Sequence, residues 1–389
     1  KFLTMCISSN SQTGYKNPPH ITRRLPSSAI IDSMTDPTQI SIPTQLLPRD
    51  GRFGCGPSLV RPAQLQKLAG STLMGTSHRQ APVKHLVASC QEMLRELFTL
   101  PKDYVVALGN GGATAFWAAA TCSLIRERAA HAVFGEFGAK FAHETSRAPF
   151  LDESVITEAP LGSSTLPQPD EEVDVYAWPH QETSTGAIAE VTRLGSDEDL
   201  VLVDATSIAG AVQVDVSQTD AYYFSLQKAL GSDGGLWFAF LSPAAVERAR
   251  AVSMDPGRGR WVPSFLNLAV AGDNSVKNQT LNTPALATLE LLHSQLEWIL
   301  TLGGLAAAEA RVRESSDAIY AWAQSSAVAT PFVTEPEKRS PVVSTIDFVA
   351  AVDPTGVIKA LRANGFVAGS PSRSLGRHPL RLGPFASTD

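Results

Sequence analysis

The chain has 389 residues, 43% hydrophobic and 18% charged, with a formal net charge of −6 and a pI near 5.8. This length supports two or three domain-sized units around a large core. The acidic balance implies no basic surface for nucleic acid, and no apolar run is long enough to span a membrane. Cys6, Cys55, Cys90 and Cys122 form neither a Cys-x-x-Cys pair nor a disulfide framework, and no histidine pair has metal-ligand spacing. A cytoplasmic protein without a metal is expected.

Residues 1–33 are Ser-rich, with Lys1, Lys16, Arg23 and Arg24 against one acid, Asp32. That composition is compatible with an organelle transit peptide, but Pro18, Pro19 and Pro26 break any helix, and no apolar core of a secretory signal is present. A disordered or non-native extension ahead of Met34 is the reading adopted. Ile40–Arg49 is proline-punctuated and expected to be extended. Arg52–Ser58 reads as a turn, and Pro62 opens a short helix to Ala69. Met74–Arg79 is a polar loop with two anion-seeking side chains, His78 and Arg79. Pro82 starts a helix whose apolar face is Val83, Leu86, Val87, Cys90, Leu94, Leu97 and Phe98.

Tyr104–Leu108 is the next strand. It enters Gly109-Asn110-Gly111-Gly112-Ala113-Thr114, followed by an Ala-rich helix to about Ile125. Strand, glycine turn and helix start is a geometry in which free N–H groups and the helix dipole hold a phosphate. Thr114 stands where a dinucleotide fingerprint needs glycine, and no Gly-Lys-Ser/Thr follows, so nucleotide readings are weak. A turn needing glycine for its shape alone is the other reading. Ala132–Phe134 is a short strand, and Phe137 beyond it is either a core aromatic or a ring for stacking on a flat ligand. Val173–Trp178 leads to the polar loop His180–Gly186, at a strand end where ligands gather. His180 reads as a hydrogen-bonded structural residue.

The run Val201–Val203 ends on Asp204, and Ala221–Ser225 ends on Gln227-Lys228. Leu236–Leu241 is a further strand. A lysine and an acid at the ends of core strands suit pyridoxal phosphate: the lysine forms a Schiff base with the aldehyde, and the acid keeps the ring nitrogen protonated. Further on, helices are expected at Ala285–Leu300 and Leu305–Ala323, separated by Gly303-Gly304. Strands Val342–Phe348 and Gly365–Ala368 flank a helix, Thr355–Ala363, and Leu380–Leu382 is a last strand. The fold class is α/β: a large, mostly parallel sheet covered on both faces, and a smaller α/β domain. The expected division is 1–33 as extension, 50–304 as large cofactor-binding domain, and 34–49 plus 305–389 as small domain.

Together, DGRFGCGPS (50–58), TSHR (76–79), GNGGATAFW (109–117), AWPHQETSTG (177–186), VDATS (203–207), DAYYFSLQK (220–228), SDGGLW (232–237) and NQTLNTPA (278–285) carry a specific resemblance. From Met34 onward the chain resembles the phosphoserine aminotransferases of actinobacterial type, class V enzymes of fold type I that use pyridoxal 5'-phosphate. The resemblance implies transfer of an amino group between glutamate and 3-phosphooxypyruvate, giving O-phosphoserine and 2-oxoglutarate in serine synthesis. It also opens a second role in vitamin B6 synthesis. By resemblance, Lys228 is the Schiff-base lysine and proton carrier, and Asp204 the partner of the ring nitrogen. Gly112 and Ala113 bind the cofactor phosphate with Gln227 beside them, Phe137 stacks on the ring, and Thr183 lies near its phenolic oxygen. Asn282 and Thr283 reach the phosphate bound to the other subunit, which implies a homodimer. His78 and Arg79 contact substrate, Arg381 takes its α-carboxylate, and Arg377 is a further candidate for the substrate phosphate.

The chain stops at Asp389, soon after Arg381, where the family continues with more of the small domain. Residues 370–379 also diverge. A partly uncovered small domain with reduced stability or activity is one expectation, and a shortened reading frame the other. Two rival functions follow: a non-catalytic or impaired relative, or another class V aminotransferase acting on a small substrate such as alanine, serine or glyoxylate.

Overall fold

A computed structural model describes residues Asp36–Ala368 and Pro379–Ser387. The expectations on residues 1–33 and on Arg377 lie outside the described residues. The central sheet has seven strands: β1 (Val105–Asn110), β2 (Ala129–Val133), β3 (Val155–Glu158), β4 (Val175–Pro179), β5 (Leu200–Asp204), β6 (Ala221–Ser225) and β7 (Leu236–Leu241). Their order across the sheet is β1-β7-β6-β5-β4-β2-β3. Strand β7 is antiparallel to both neighbours, with Leu236 opposite Asn110 and Trp237 opposite Ser225. All other pairings are parallel. The remaining six strands therefore point one way, and their C-terminal ends share a single edge.

Continuous apolar runs form these strands because both faces of the sheet are covered. Alternate residues enter opposite layers. Val201, Val203, Tyr222 and Phe224 pack in one, with helices Ala81–Leu97 and Leu286–Leu302. Leu200, Leu202, Ala221 and Tyr223 pack in the other, against α1 (Ala113–Ser123), α2 (Glu136–Ser146) and the helix Pro243–Met254. Each large side chain taken fully out of water contributes about 1.5–3 kcal/mol. Phe224, Phe238 and Phe240 are all fully buried, which anchors the strands that carry the site.

Some elements depart from the sequence expectation. Strand β2 starts at Ala129, ahead of the expected Ala132, because Ala-Ala-His has no strand-forming signature. Strand β3 and the helix Pro243–Met254 are additional elements, and β3 is a half-exposed edge strand with a weak apolar pattern. Gly303, at φ +113, ends one helix and lets the next begin at Gly304. Beyond it, Ala329–Pro331, Ser344–Phe348 and Leu380–Leu382 make an antiparallel sheet. Val367–Ala368 pairs instead with Arg52–Phe53, in parallel. The glycine-rich turn after Phe53 is thereby tied to the C-terminal part of the chain.

Candidate active site

The shared sheet edge collects the ends of five strands. β5 delivers Asp204, β6 delivers Gln227 and Lys228, β1 turns into α1 at Gly112, β2 turns into α2 just before Phe137, and β4 leads to Thr183. Phe137 and Asp204 line one narrow cleft with Trp178, Pro179 and Tyr223.

Asp204 is buried at the end of β5. Its Oδ2 accepts from Trp117 Nε1 at 3.0 Å and its Oδ1 from the Thr206 amide at 2.9 Å. Burial pushes its carboxyl up, and these donors pull it part of the way back. Tyr223, its cross-strand partner on β6, turns a buried hydroxyl toward the same carboxylate and adds to the donors that lower it.

Lys228 is half-buried, and its Nζ donates to the Cys55 carbonyl at 2.7 Å. Burial holds its pKa below 10.5, and the Arg381 charge adds to that depression while Asp204 opposes it. Lysine, arginine and aspartate thus share one electrostatic neighbourhood. The lysine backbone is gripped from the same turn: Ser58 N donates to Gln227 O at 2.8 Å, and Ser58 Oγ to Lys228 O at 2.6 Å. The Gln227 Oε1 is buried without a partner among the described residues.

Two helix N-termini face this edge, and they differ. At α1, Gly112 is the N-cap without a side-chain cap, and the Ala113 amide donates to Ser225 Oγ at 2.7 Å. At α2, the Glu182 carboxylate already fills the end, accepting from the amides of Phe137 at 3.0 Å and Gly138 at 3.1 Å. A helix end favours one anion. Of the two, only α1 is left with neutral partners.

Thr183 is buried, with Oγ1 donating to Ser207 Oγ at 2.9 Å. Its carbonyl accepts from Arg381 Nη1 at 2.9 Å, so the strand Leu380–Leu382 brings its arginine to the same edge. His180 is buried against the Tyr222 hydroxyl at 3.0 Å, and burial lowers its pKa to about 4.

His78, Arg79, Asn282 and Thr283 form a second cluster. His78 Nδ1 lies 3.1 Å from Thr283 Oγ1, and its Nε2 is buried without a partner among the described residues. Burial and the Arg79 charge lower the His78 pKa. Arg79 is exposed, and its guanidinium donates to Asn274, to Gln279 and to the Leu281 carbonyl at 3.1 Å. Asn282 and Thr283 are exposed. The link to the first cluster runs through Asn110, whose Nδ2 donates to Thr283 O at 3.0 Å two residues before Gly112. A cavity of about 950 Å³ is lined by Thr114, Trp117, Gly135, Glu136 and Lys140 but by none of Asp204, Lys228 or Arg381.

Trp117, Glu182, Ser225 and Cys55 all enter the geometry without a role assigned to them from the sequence. Only Trp117 carried a local signal, one helical turn beyond Ala113 and therefore on the same side of α1. The residues present fit pyridoxal phosphate. A buried carboxylate with acceptor capacity, an amine pushed toward its neutral form, an aromatic ring and an anion-seeking helix end share the edge. The orphaned Oε1 of Gln227 flanks it, and such an atom costs about 1–3 kcal/mol until paired.

The profile of the family described as Aminotransferase class-V matches residues 62–378. A protein of Mycolicibacterium vanbaalenii is 53% identical over 352 residues, 90% of this chain and 94% of its own. A phosphoserine aminotransferase of a Nocardioides species is 53% identical over 362 residues, 92% of this chain and 95% of its own. Among solved structures, a phosphoserine aminotransferase from Cytophaga hutchinsonii superposes with a TM-score of 0.81 at 21% identity, covering 88% of this chain and 95% of that one.

Proposed function

The chain belongs to the class-V aminotransferase family and has its fold-type-I architecture, and from that premise we propose that it transfers an amino group between L-glutamate and 3-phosphooxypyruvate, giving 2-oxoglutarate and O-phospho-L-serine. The observation that carries the chemistry is the meeting of Asp204, Lys228 and the α1 end at one sheet edge. The name of the Nocardioides relative supports the substrate pair.

Bound pyridoxal phosphate supplies an aldehyde that can carry an amino group and a ring that withdraws electrons from the substrate carbon. In this reading Gly112 and Ala113 hold its phosphate, with Gln227 beside them. Asp204 accepts from the ring nitrogen, Phe137 covers the ring, and Thr183 sits by the phenolic oxygen. Lys228 moves the proton at the substrate Cα, and burial brings its neutral form within reach of lower pH. Arg381 takes the α-carboxylate in a two-pronged contact. His78 and Arg79 take the substrate's phosphate.

A homodimer gives the second cluster its place: Asn282 and Thr283, exposed in one protomer, would reach the cofactor phosphate of the other. Residues 50–304 form the cofactor-binding domain and 34–49 with 305–389 the small one, with Arg52–Phe53 pairing across the boundary. A cytosolic location suits the free thiols of Cys55, Cys90 and Cys122. No described helix is long and apolar enough to cross a membrane.

The reading of an impaired relative is not favoured, because the chain spans 95% of the Nocardioides enzyme at 53% identity. The test is a pair of half-reactions followed by the cofactor's visible spectrum. Glutamate should convert it, and 3-phosphooxypyruvate should restore it. Restoration by glyoxylate or pyruvate but not by 3-phosphooxypyruvate would assign another substrate.

A further inference from the structure

Glu182 is fully buried, and its carboxylate is the acceptor in each of its hydrogen bonds among the described residues. Oε2 accepts from the amides of Phe137 at 3.0 Å and Gly138 at 3.1 Å. Oε1 accepts from the Ser184 amide at 3.0 Å and from Ser184 Oγ at 2.6 Å. The same Ser184 hydroxyl accepts from the Glu136 amide at 2.9 Å. The first three amides of α2, which have no partners inside the helix, are therefore all taken by residues 182–184. An amide in place of the carboxylate would turn N–H groups toward N–H groups. Gly135 makes the approach possible: a Cβ there would lie 2.3 Å from Glu182 Cγ and 2.5 Å from Ser184 Oγ.

We propose that Glu182 is a positioning residue for the cofactor ring: its carboxylate ties the turn that carries Phe137 to the loop that carries Thr183, and so fixes the spacing of two walls of the ring site. The proposal rests on the functional reading above, since it concerns the same cofactor. It also assigns Glu182 a selective role. By occupying the α2 amides with its own oxygen, it leaves α1, where Ala113 has a hydroxyl partner, as the end that receives a phosphate.

The test uses the full chain with Glu182→Gln, which spoils one acceptor pair, and Ser184→Ala, a milder change that removes a single hydroxyl. Pyridoxal phosphate is titrated into cofactor-free protein, and amide exchange across residues 136–138 is followed in the same samples. Both variants are expected to exchange faster there, with Leu286–Leu302 unchanged, and to bind the cofactor more weakly: roughly 10–100-fold for Glu182→Gln, by analogy with the loss of an outer partner of a metal ligand, and more than about twofold for Ser184→Ala. Adding Glu182→Gln to Phe137→Leu should cost little further affinity. Cofactor affinity within twofold of wild type in a folded Glu182→Gln or Ser184→Ala protein, whatever its melting temperature, overturns the proposal. Wild-type protein that binds no pyridoxal phosphate would instead overturn the functional reading, and accelerated exchange at 136–138 would still report the tie.

Discussion

Gly56 lies so close to Lys228 that a Cβ on it would stand 2.3 Å from the lysine's Nζ. Its φ of +115 is also a conformation that side chains resist. The neighbouring Cys55 carbonyl holds the amine, and Ser58 holds the lysine backbone. The same segment reaches the other way, since Phe53 O accepts from Gly383 N at 2.9 Å, two residues beyond Arg381. One short stretch thus spaces the lysine from the arginine.

Gly56→Ala should therefore damage chemistry and stability together. A cost of about 1–3 kcal/mol in stability is expected from the backbone alone. The amino-transfer rate should fall further than that loss explains, because the amine is displaced. Thermal melting and single-turnover rates check this, and wild-type rates in a folded variant would refute it.

The protonation of Lys228 gives a prediction with a defined sign. Its folded pKa lies below 10.5, so between that value and 10.5 the folded chain holds fewer protons than the unfolded one. The cost of burying the charged amine is complete below the folded pKa and vanishes above 10.5, so this group's contribution to stability rises with pH across the window. Lys228→Met should flatten that slope in cofactor-free protein. Arg381→Gln should raise the lysine's pKa and Asp204→Asn should lower it, measured by the pH dependence of its chemical modification. Shifts in the same direction for both would contradict the electrostatics described.

Trp117→Phe keeps an aromatic ring in the core but removes the donor on Asp204 Oδ2. A buried carboxylate that loses a donor is expected to cost about 1–3 kcal/mol. Its carboxyl should rise further, because that donor lowers it. The readout is pyridoxal phosphate affinity against pH, which should weaken most at the acid end. Unchanged affinity would make Trp117 a packing residue only.

Arg79 tests the division of the site between two copies of the chain. Arg79→Gln should raise the KM for 3-phosphooxypyruvate roughly 10–100-fold, in line with the loss of a charged hydrogen bond worth about 1.5–3 kcal/mol, and should act less on glutamate. Lys228→Ala alone should lower the rate by about 10²–10⁴-fold. Refolding the two variants together should restore activity if, as in the proposed homodimer, Lys228 and the Arg79 cluster meet in one site from different subunits. No recovery on mixing would place both residues in the same protomer's site.

The sequence by itself determined that these strands exist and, within a residue or two, which side chains stand at their ends. Apolar runs buried on both faces are a local property, so Ala221–Ser225 and Leu236–Leu241 were legible to the residue; Leu380–Leu382 matches its expected bounds as well, although it is only partly buried. Tertiary structure alone decided which ends meet. Inserting antiparallel β7 between β1 and β6 puts the glycine turn on the same edge as the lysine, and no local pattern encodes strand order. The supports are hidden for the same reason: Trp117 and Asp204 are 87 residues apart, Glu182 and Phe137 are 45 apart, and Cys55 and Lys228 are 173 apart. Their residue types are ordinary for a helix, a polar loop and a turn, and their roles exist only once packing brings each beside its partner.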